Sequence, residues 1–219
     1  MAQAIIISGL LDNLSENIIP IIKDKDVYVH TWYSKENERW INKLNRFKKH
    51  TTNLYLTVDE PKYESKLFSH FYSTWKAFNI IQDSSKYSLI VKLKPNLETE
   101  KIEYQGKIED YFYKAYISNR PLLNNYTYKD CIYGSIYYKT IDERFFSGHP
   151  LAFQKIFRTL EEELDTQLIA VDKKLKDEYG EQYEGSLFWK EWIDNLDIPI
   201  IQDTDLKLPN NIRNKFLTY

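Results

Sequence analysis

The feature that most constrains this chain is a regular alternation of short apolar runs and longer amphipathic ones in its first half. Ala4-Ile5-Ile6-Ile7 is closed by Ser8-Gly9. A short run that is apolar at every position suits a strand buried on both faces. Residues 10–22 then carry Leu11, Leu14, Ile18, Ile21 and Ile22 at helical spacing, and Pro20 should shorten or bend that helix. Val27 to Trp32 is a second strand, with β-branched residues at alternate positions. A charged, helix-like stretch runs from Lys35 to Lys49. Asn53 to Thr57 is a third strand, ended by Asp59, Glu60 and Pro61. Residues 63–82 place Leu67, Phe71, Phe78 and Ile81 on one stripe, with Trp75 at its edge. Ser88 to Lys92 is a fourth strand. Strand followed by helix, repeated in this way, predicts an α/β domain with a mostly parallel central sheet flanked by helices.

The rhythm breaks over residues 99–130, which are polar and tyrosine-rich and read as loops and short helices. Ile132 to Tyr138 reads as a strand, and Phe145 to Gly148 as a short one. From Leu151 to Tyr179 apolar residues step by three or four, which predicts one long helix closed by Gly180. A helix over 186–196 and a short strand over 198–201 follow. No stretch is rich enough in Gly, Ser or Pro to be a linker, so residues 1–219 are expected to form a single domain.

Charge and motifs remove several function classes. Thirty Lys and Arg against 32 Asp and Glu give a net charge of -2, so no broad nucleic-acid field is expected. Cys131 is the sole cysteine, which excludes a disulfide scaffold and Cys-rich metal sites. It reads as a small buried apolar residue. His30, His50, His70 and His149 lack HExxH spacing. There is no Walker loop, no GxGxxG and no GxSxG. No stretch approaches the ~20 apolar residues that span a bilayer, and the first residues lack the basic region of a signal peptide. A cytoplasmic protein is expected.

What remains is positional. Ligands of open α/β sheets bind beyond the carboxyl ends of the strands. Those ends are Ser8-Gly9, His30-Thr31-Trp32, Asp59-Glu60 and Lys92 to Asn96. Together they offer a tight turn, an aromatic, an imidazole, carboxylates and cations, a set that suits an anionic ligand with a stackable base. Strand ends are also polar simply because they meet water. Ser73 and Lys76 share a helix face that would equally suit the ligand or solvent. "DERFFSGHPLAFQKIF", from Asp142, reads either as a loop, an edge strand and a helix start, or as a segment that puts Asp142 in a cleft beside Gly148. Periodicity does not decide. The tyrosines at 126, 128, 133, 137 and 138 should mostly pack.

The order of several stretches resembles one known family. "IIISGLLDN", "VYVHTW", "FYSTWKAFNII", "YSLIVKLKPNL" and "DERFFSGHPLAFQKIF" occur in the sequence shown by WavE-like glycosyltransferases of lipopolysaccharide and capsule synthesis. "SLFWKEWIDNLDIPI" is similar to the end of that family. The resemblance spans nearly the whole chain and implies a GT-A-like fold. It implies a transferase that moves a sugar from a nucleotide-sugar donor to a glycan or lipid-linked glycan acceptor, in the host cytoplasm for a viral member. By the same resemblance Ser8, Gly9, His30 and Trp32 line the nucleotide pocket, with Ser73 and Lys76 as further candidates.

The family's two arginines at the fourth strand's end stand here as Lys92 and Lys94, and its aspartate as Asn96. A carboxylate at such a strand end holds Mn2+ or Mg2+ against the donor diphosphate, and an uncharged amide is a weaker ligand. Metal binding through Asn96 is therefore expected to be weak or absent, with lysine supplying the offsetting charge. Asp142 is the candidate catalytic carboxylate. The rival from another class is a non-catalytic binding or scaffold protein that keeps the fold, which Asn96 favours.

Overall fold

The apolar run near the start is strand β1 (Gln3–Ser8), and it lies in the interior of the sheet, paired on both sides. The computed structural model describes residues 2–11, 14–33, 37–95, 129–137 and 140–201. In chain order the other elements are α1 (Ile19–Ile22), β2 (Asp26–Trp32), α2 (Asn37–Lys48), β3 (Asn53–Asp59), α3 (Lys66–Asn79) and β4 (Leu89–Leu93). Then follow β5 (Ile132–Tyr137), β6 (Thr140–Gly148), α4 (Pro150–Ile156), α5 (Glu161–Tyr179), α6 (Gly185–Asp194) and β7 (Ile200–Ile201).

Among the described residues the strands form one seven-stranded sheet in the order β3-β2-β1-β4-β6-β5-β7. The first four strands of the chain are mutually parallel, with Ile6 beside Tyr28 and Lys92. Strand β6 enters antiparallel to both β4 and β5, and β7 returns parallel to β5. This is the mixed α/β, mostly parallel sheet that the alternation predicts.

The alternation of side chains along each strand splits the core in two. Ala4, Ile6, Tyr28 and Ile90 face α3 to α6, while Ile5, Ile7, Val27, Val29, Leu89 and Val91 face α1 and α2. Helices therefore cover both faces. Ser65 caps α3, its hydroxyl accepting the Phe68 amide, so the helix starts later than the residue-63 boundary expected from the apolar stripe. Cys131 is buried, as expected of a small apolar residue, and burial pushes its thiol up to about 12.

Two helices differ from expectation. Among the described residues of 10–22, a 3-10 turn at Glu16–Ile18 and the single-turn α1, with Pro20 in its first turn, take the place of one continuous helix. The expected helix over 151–179 is two helices, α4 and α5, interrupted at residues 157–160. The indole N–H of Trp192 takes the Ile156 carbonyl and that of Trp75 takes the Thr159 carbonyl, so the break leaves these buried groups satisfied. Glu161, Glu162 and Glu163 then open a fresh helix, where carboxylates favour the N-terminal end of the dipole. Phe145 to Gly148, expected as a short strand, is the second half of the nine-residue β6.

Candidate functional site

Parallel strands end on one side of the sheet, and the helix after each runs back from that side. The carboxyl ends of β1, β2 and β4 and the N-terminal half of α3 therefore converge. The chain reverses its direction of strand placement here, since β2 and β3 lie on one side of β1 and β4 on the other. A crevice at such a switch point is where open α/β sheets bind ligands.

The cleft has a volume of about 450 Å3. Ser8, Gly9 and Leu10 line it from the end of β1 and the turn after it, Trp32 and Tyr33 from the end of β2, and Lys94 and Pro95 from just beyond β4. Pro61, Tyr63 and Glu64 come from the β3–α3 connection, and Lys66, Ser69 and His70 from α3. Its walls are thus partly aromatic, and among the described residues its lysines are Lys66 and Lys94 and its carboxylate is Glu64.

The turn after β1 depends on Gly9, whose φ of +109° lies in the region that side chains disfavour. Its amide donates to Ser73 Oγ at 2.8 Å and to the His30 carbonyl at 3.2 Å. Ser8 Oγ lies 2.8 Å from Thr74 Oγ1. Two adjacent hydroxyls of α3 therefore fasten the β1 turn in place.

His30 is fully buried beneath this turn, with Nδ1 2.8 Å from Ser73 Oγ and Nε2 3.2 Å from Asp59 Oδ2. A neutral ring satisfies both contacts when Nε2–H donates to the carboxylate and Nδ1 accepts from the Ser73 hydroxyl, which also lies 3.1 Å from the His30 carbonyl. Burial lowers the His30 pKa, and Asp59 opposes that shift without overcoming it. Trp32 packs edge-on against His30 at 5.0 Å and stacks on Tyr72 at 5.4 Å.

At the end of β4 the two lysines separate. Lys94 is part exposed, lines the cleft and pairs with Glu143 at 2.8 Å. Lys92 is fully buried, its ammonium donating to His70 Nε2 at 3.0 Å and to the Glu143 carbonyl. It also sits over the rings of Trp189 at 5.5 Å and Phe146 at 5.8 Å.

Of the residues singled out from sequence, Ser8, Gly9, Trp32 and Lys94 line this cleft. His30 and Ser73, expected at its surface, instead form the hydrogen-bonded layer beneath it. Lys92 is in the core rather than at the strand tip, because it lies two residues deeper along the strand than Lys94, where Trp189 and Phe146 close over it. Lys76 lies one turn beyond Ser73, away from the cleft, near Asp59 at 3.8 Å and Glu161 at 3.6 Å. Asn96 lies outside the described residues. Asp142 belongs to β6, whose pairing with β4 ends at Leu93↔Phe145. Its backbone therefore continues past the carboxyl end of β4, on the cleft side of the sheet; its side chain lies outside the described residues.

Sequence reasoning missed Leu10, Tyr33, Tyr63, Glu64, Lys66, Ser69, His70 and Glu143. One signal was present. The Ser73 face of α3, followed toward the helix start at steps of three and four, reaches His70, Ser69 and Lys66. Following it toward Lys76 leads away from the strand ends.

Three histidines are held neutral by burial, which sets a pH response. The His30 and His70 pKa values are lowered, His70 well below its ordinary value by burial and then by Lys92 and Lys94. His149 is pushed down to about 4, chiefly by burial, with Lys129 adding and Asp130 opposing. Its Nδ1 accepts the Leu151 amide as the cap of α4, so a proton there would break the cap. Below about pH 6.5 the unfolded chain binds protons at these sites that the folded chain refuses. Stability should therefore fall as pH drops from about 6.5 toward 4. The check is the urea midpoint across that range; a midpoint that stays level or rises would contradict it.

Comparison with known proteins adds distant likenesses to solved structures. No family model matches the sequence, and no curated protein matches it. Mouse xyloside xylosyltransferase 1 in its apo form is 7% identical over 92% of this chain and 84% of its own, with a TM-score of 0.45. A glycosyltransferase involved in glycosylation of the major capsid of PBCV-1 is 11% identical over 82% and 69%, with a TM-score of 0.30. Both scores fall below one half, and the functional reading rests on the cleft itself. Among the described residues no helix is long and apolar enough to cross a membrane.

Proposed function

We propose that this chain is a GT-A-type glycosyltransferase that binds a nucleotide-sugar donor in the cleft and transfers the sugar to a glycan or lipid-linked glycan acceptor. The observation that carries the reading is the make-up of the cleft at the β1/β4 switch point. A glycine turn lets the backbone approach a ligand closely, Trp32, Tyr33 and Tyr63 offer aromatic surface, and Lys66 and Lys94 offer positive charge. A nucleoside diphosphate needs those three things. The WavE-like order of motifs supports the same reading.

In the proposed reaction an acceptor hydroxyl attacks the anomeric carbon of the donor sugar. The bond from that carbon to the phosphate oxygen breaks, and the hydroxyl proton passes to a carboxylate, for which Asp142 is the candidate. Lys94 and Lys66 offset the charge that builds on the departing diphosphate.

The described residues do not make a fitting divalent-metal site. The described lining has one carboxylate, Glu64, among two lysines, whereas Mg2+ and Ca2+ take about six or more oxygen ligands. Among the described residues no group of three His, Cys, Asp or Glu side chains is placed to hold an ion. No step is therefore routed through a metal. The second reading, a non-catalytic binding or scaffold protein that keeps the fold, is favoured by the amide at position 96.

The test is calorimetric titration of UDP, GDP and dTDP and their sugars, with and without Mn2+, into the unaltered chain and Asn96→Asp. One nucleotide diphosphate is expected to bind the unaltered chain without metal, and Asn96→Asp should strengthen Mn2+ binding when nucleotide is present. If none of the three nucleotides binds, the donor reading fails. Tight Mn2+ binding that the substitution leaves unchanged would place any metal site away from position 96. Nucleotide binding without transfer or donor hydrolysis would favour the second reading.

A further inference from the structure

A fully buried lysine standing behind a cleft histidine has a chemical consequence at the cleft surface. Lys92 has no exposure, and its ammonium lies 3.0 Å from His70 Nε2. An ammonium group donates hydrogen bonds and accepts none. Nε2 must therefore be the unprotonated nitrogen of the ring, and in the neutral imidazole the proton sits on Nδ1. Burial and the two flanking lysines keep that ring neutral. The two ring nitrogens point in divergent directions, so Nδ1–H points away from the buried ammonium. Among the described residues Nδ1 has no hydrogen-bond partner, while His70 lines the cleft together with Lys94.

We propose that His70 is a donor-binding residue: its Nδ1–H is presented to the diphosphate of the nucleotide sugar, and the buried Lys92 ammonium fixes that tautomer from behind. The inference rests on the donor reading of the cleft and names a residue for it. It also gives Lys92 a role at a site it does not reach. A cation at Nε2 polarises the ring and strengthens the N–H that faces the ligand, because hydrogen bonds in a chain reinforce one another. The positive charge of Lys92 thus acts at the cleft through a neutral ring, while Lys94 acts there directly.

The test uses the different reach of two amides. The side-chain nitrogen of asparagine stands close to where Nδ1 stands in histidine, and that of glutamine close to Nε2. UDP, GDP and dTDP, and the matching nucleosides, are titrated into the unaltered chain, His70→Asn and His70→Gln. For the nucleotide that binds, His70→Gln should lose about ten- to a hundred-fold in diphosphate affinity, the size expected of one hydrogen bond to a charged group. His70→Asn should keep most of that affinity, and neither substitution should change binding of the nucleoside. A purely structural role for His70 would lower all of these together. Nitrogen NMR of the ligand-free chain should show the His70 proton on Nδ1, and Lys92→Met should release that preference. Equal diphosphate affinity in His70→Gln and the unaltered chain overturns the inference and leaves the donor reading standing. A proton on Nε2 overturns it without reference to any ligand. Failure of the unaltered chain to bind any of the three diphosphates overturns the donor reading and the inference with it.

Discussion

Phe71→Ala is expected to destabilise the folded chain by roughly 3–5 kcal/mol, the range for removing a fully buried ring from a packed core. Phe71 has no exposure. Its ring centroid lies 4.4 Å from that of Trp192 and 4.5 Å from that of Trp189, with Phe188 and Phe157 within 6 Å. It joins α3, which carries the cleft residues, to α6 and to the break between α4 and α5. Alanine would leave a cavity walled by four aromatic groups that cannot all move inward, so the loss includes the cavity as well as the transfer of the ring. Leu56→Ala serves as the control, since Leu56 is exposed on edge strand β3 and should change stability by no more than about 0.5 kcal/mol. Urea unfolding of both variants gives the comparison. A Phe71→Ala cost near that of the control would mean these helices do not share one core.

The central strands were legible because their residues are buried on both faces. Ile5, Ile6 and Ile7 can all be apolar only in a strand covered on both sides, and the two clusters around β1 are that covering. The helix break at residues 157–160 was not legible. Phe157, Leu160 and Leu164 keep helical spacing across it, yet Leu160 is exposed while Leu164 is buried. What settles the matter is two indole N–H groups from other elements that take the freed carbonyls. A contact between residues 84 apart in sequence, such as Trp75 to Thr159, has no local signature.

The site was legible in part for the same reason. Gly9, Trp32 and Lys94 could be placed at one end of the sheet because parallel strands share an end. Depth could not be read. His30 is at a strand end like Trp32, but the hydroxyl of Ser73 lies against one ring nitrogen and Asp59 against the other, and the ring is sealed. Lys92 looked like the partner of Lys94, and both do turn to the same side of the strand. Lys92 is one turn of the zigzag deeper, where Trp189 and Phe146 close over it. Sequence gives the direction of a side chain along a strand, whereas exposure depends on which helix lies opposite.

Asp142→Asn is expected to lower sugar transfer by about 10²–10⁴-fold, the contribution of a positioned general base. Two acidic residues, Asp142 and Glu143, follow one another on the part of β6 that runs past the end of β4. The Glu143 carboxylate is engaged by Lys94 at 2.8 Å, and its backbone carbonyl accepts from Lys92. An oxygen that already pairs with an ammonium is poorly placed to take a proton from an acceptor hydroxyl, so Glu143 is assigned to holding Lys94 at the cleft edge. Asp142 is therefore the proposed base. Asparagine keeps the shape of the side chain and removes its ability to accept a proton, so donor affinity should be unchanged while turnover falls. Glu143→Gln should act differently. It frees Lys94 from its partner, which should alter diphosphate affinity more than turnover at saturating donor. Steady-state rates and donor titrations on both variants separate the roles. If Asp142→Asn turns over normally and Glu143→Gln loses transfer at unchanged donor affinity, the base is Glu143 and the assignment of these two neighbours must be exchanged.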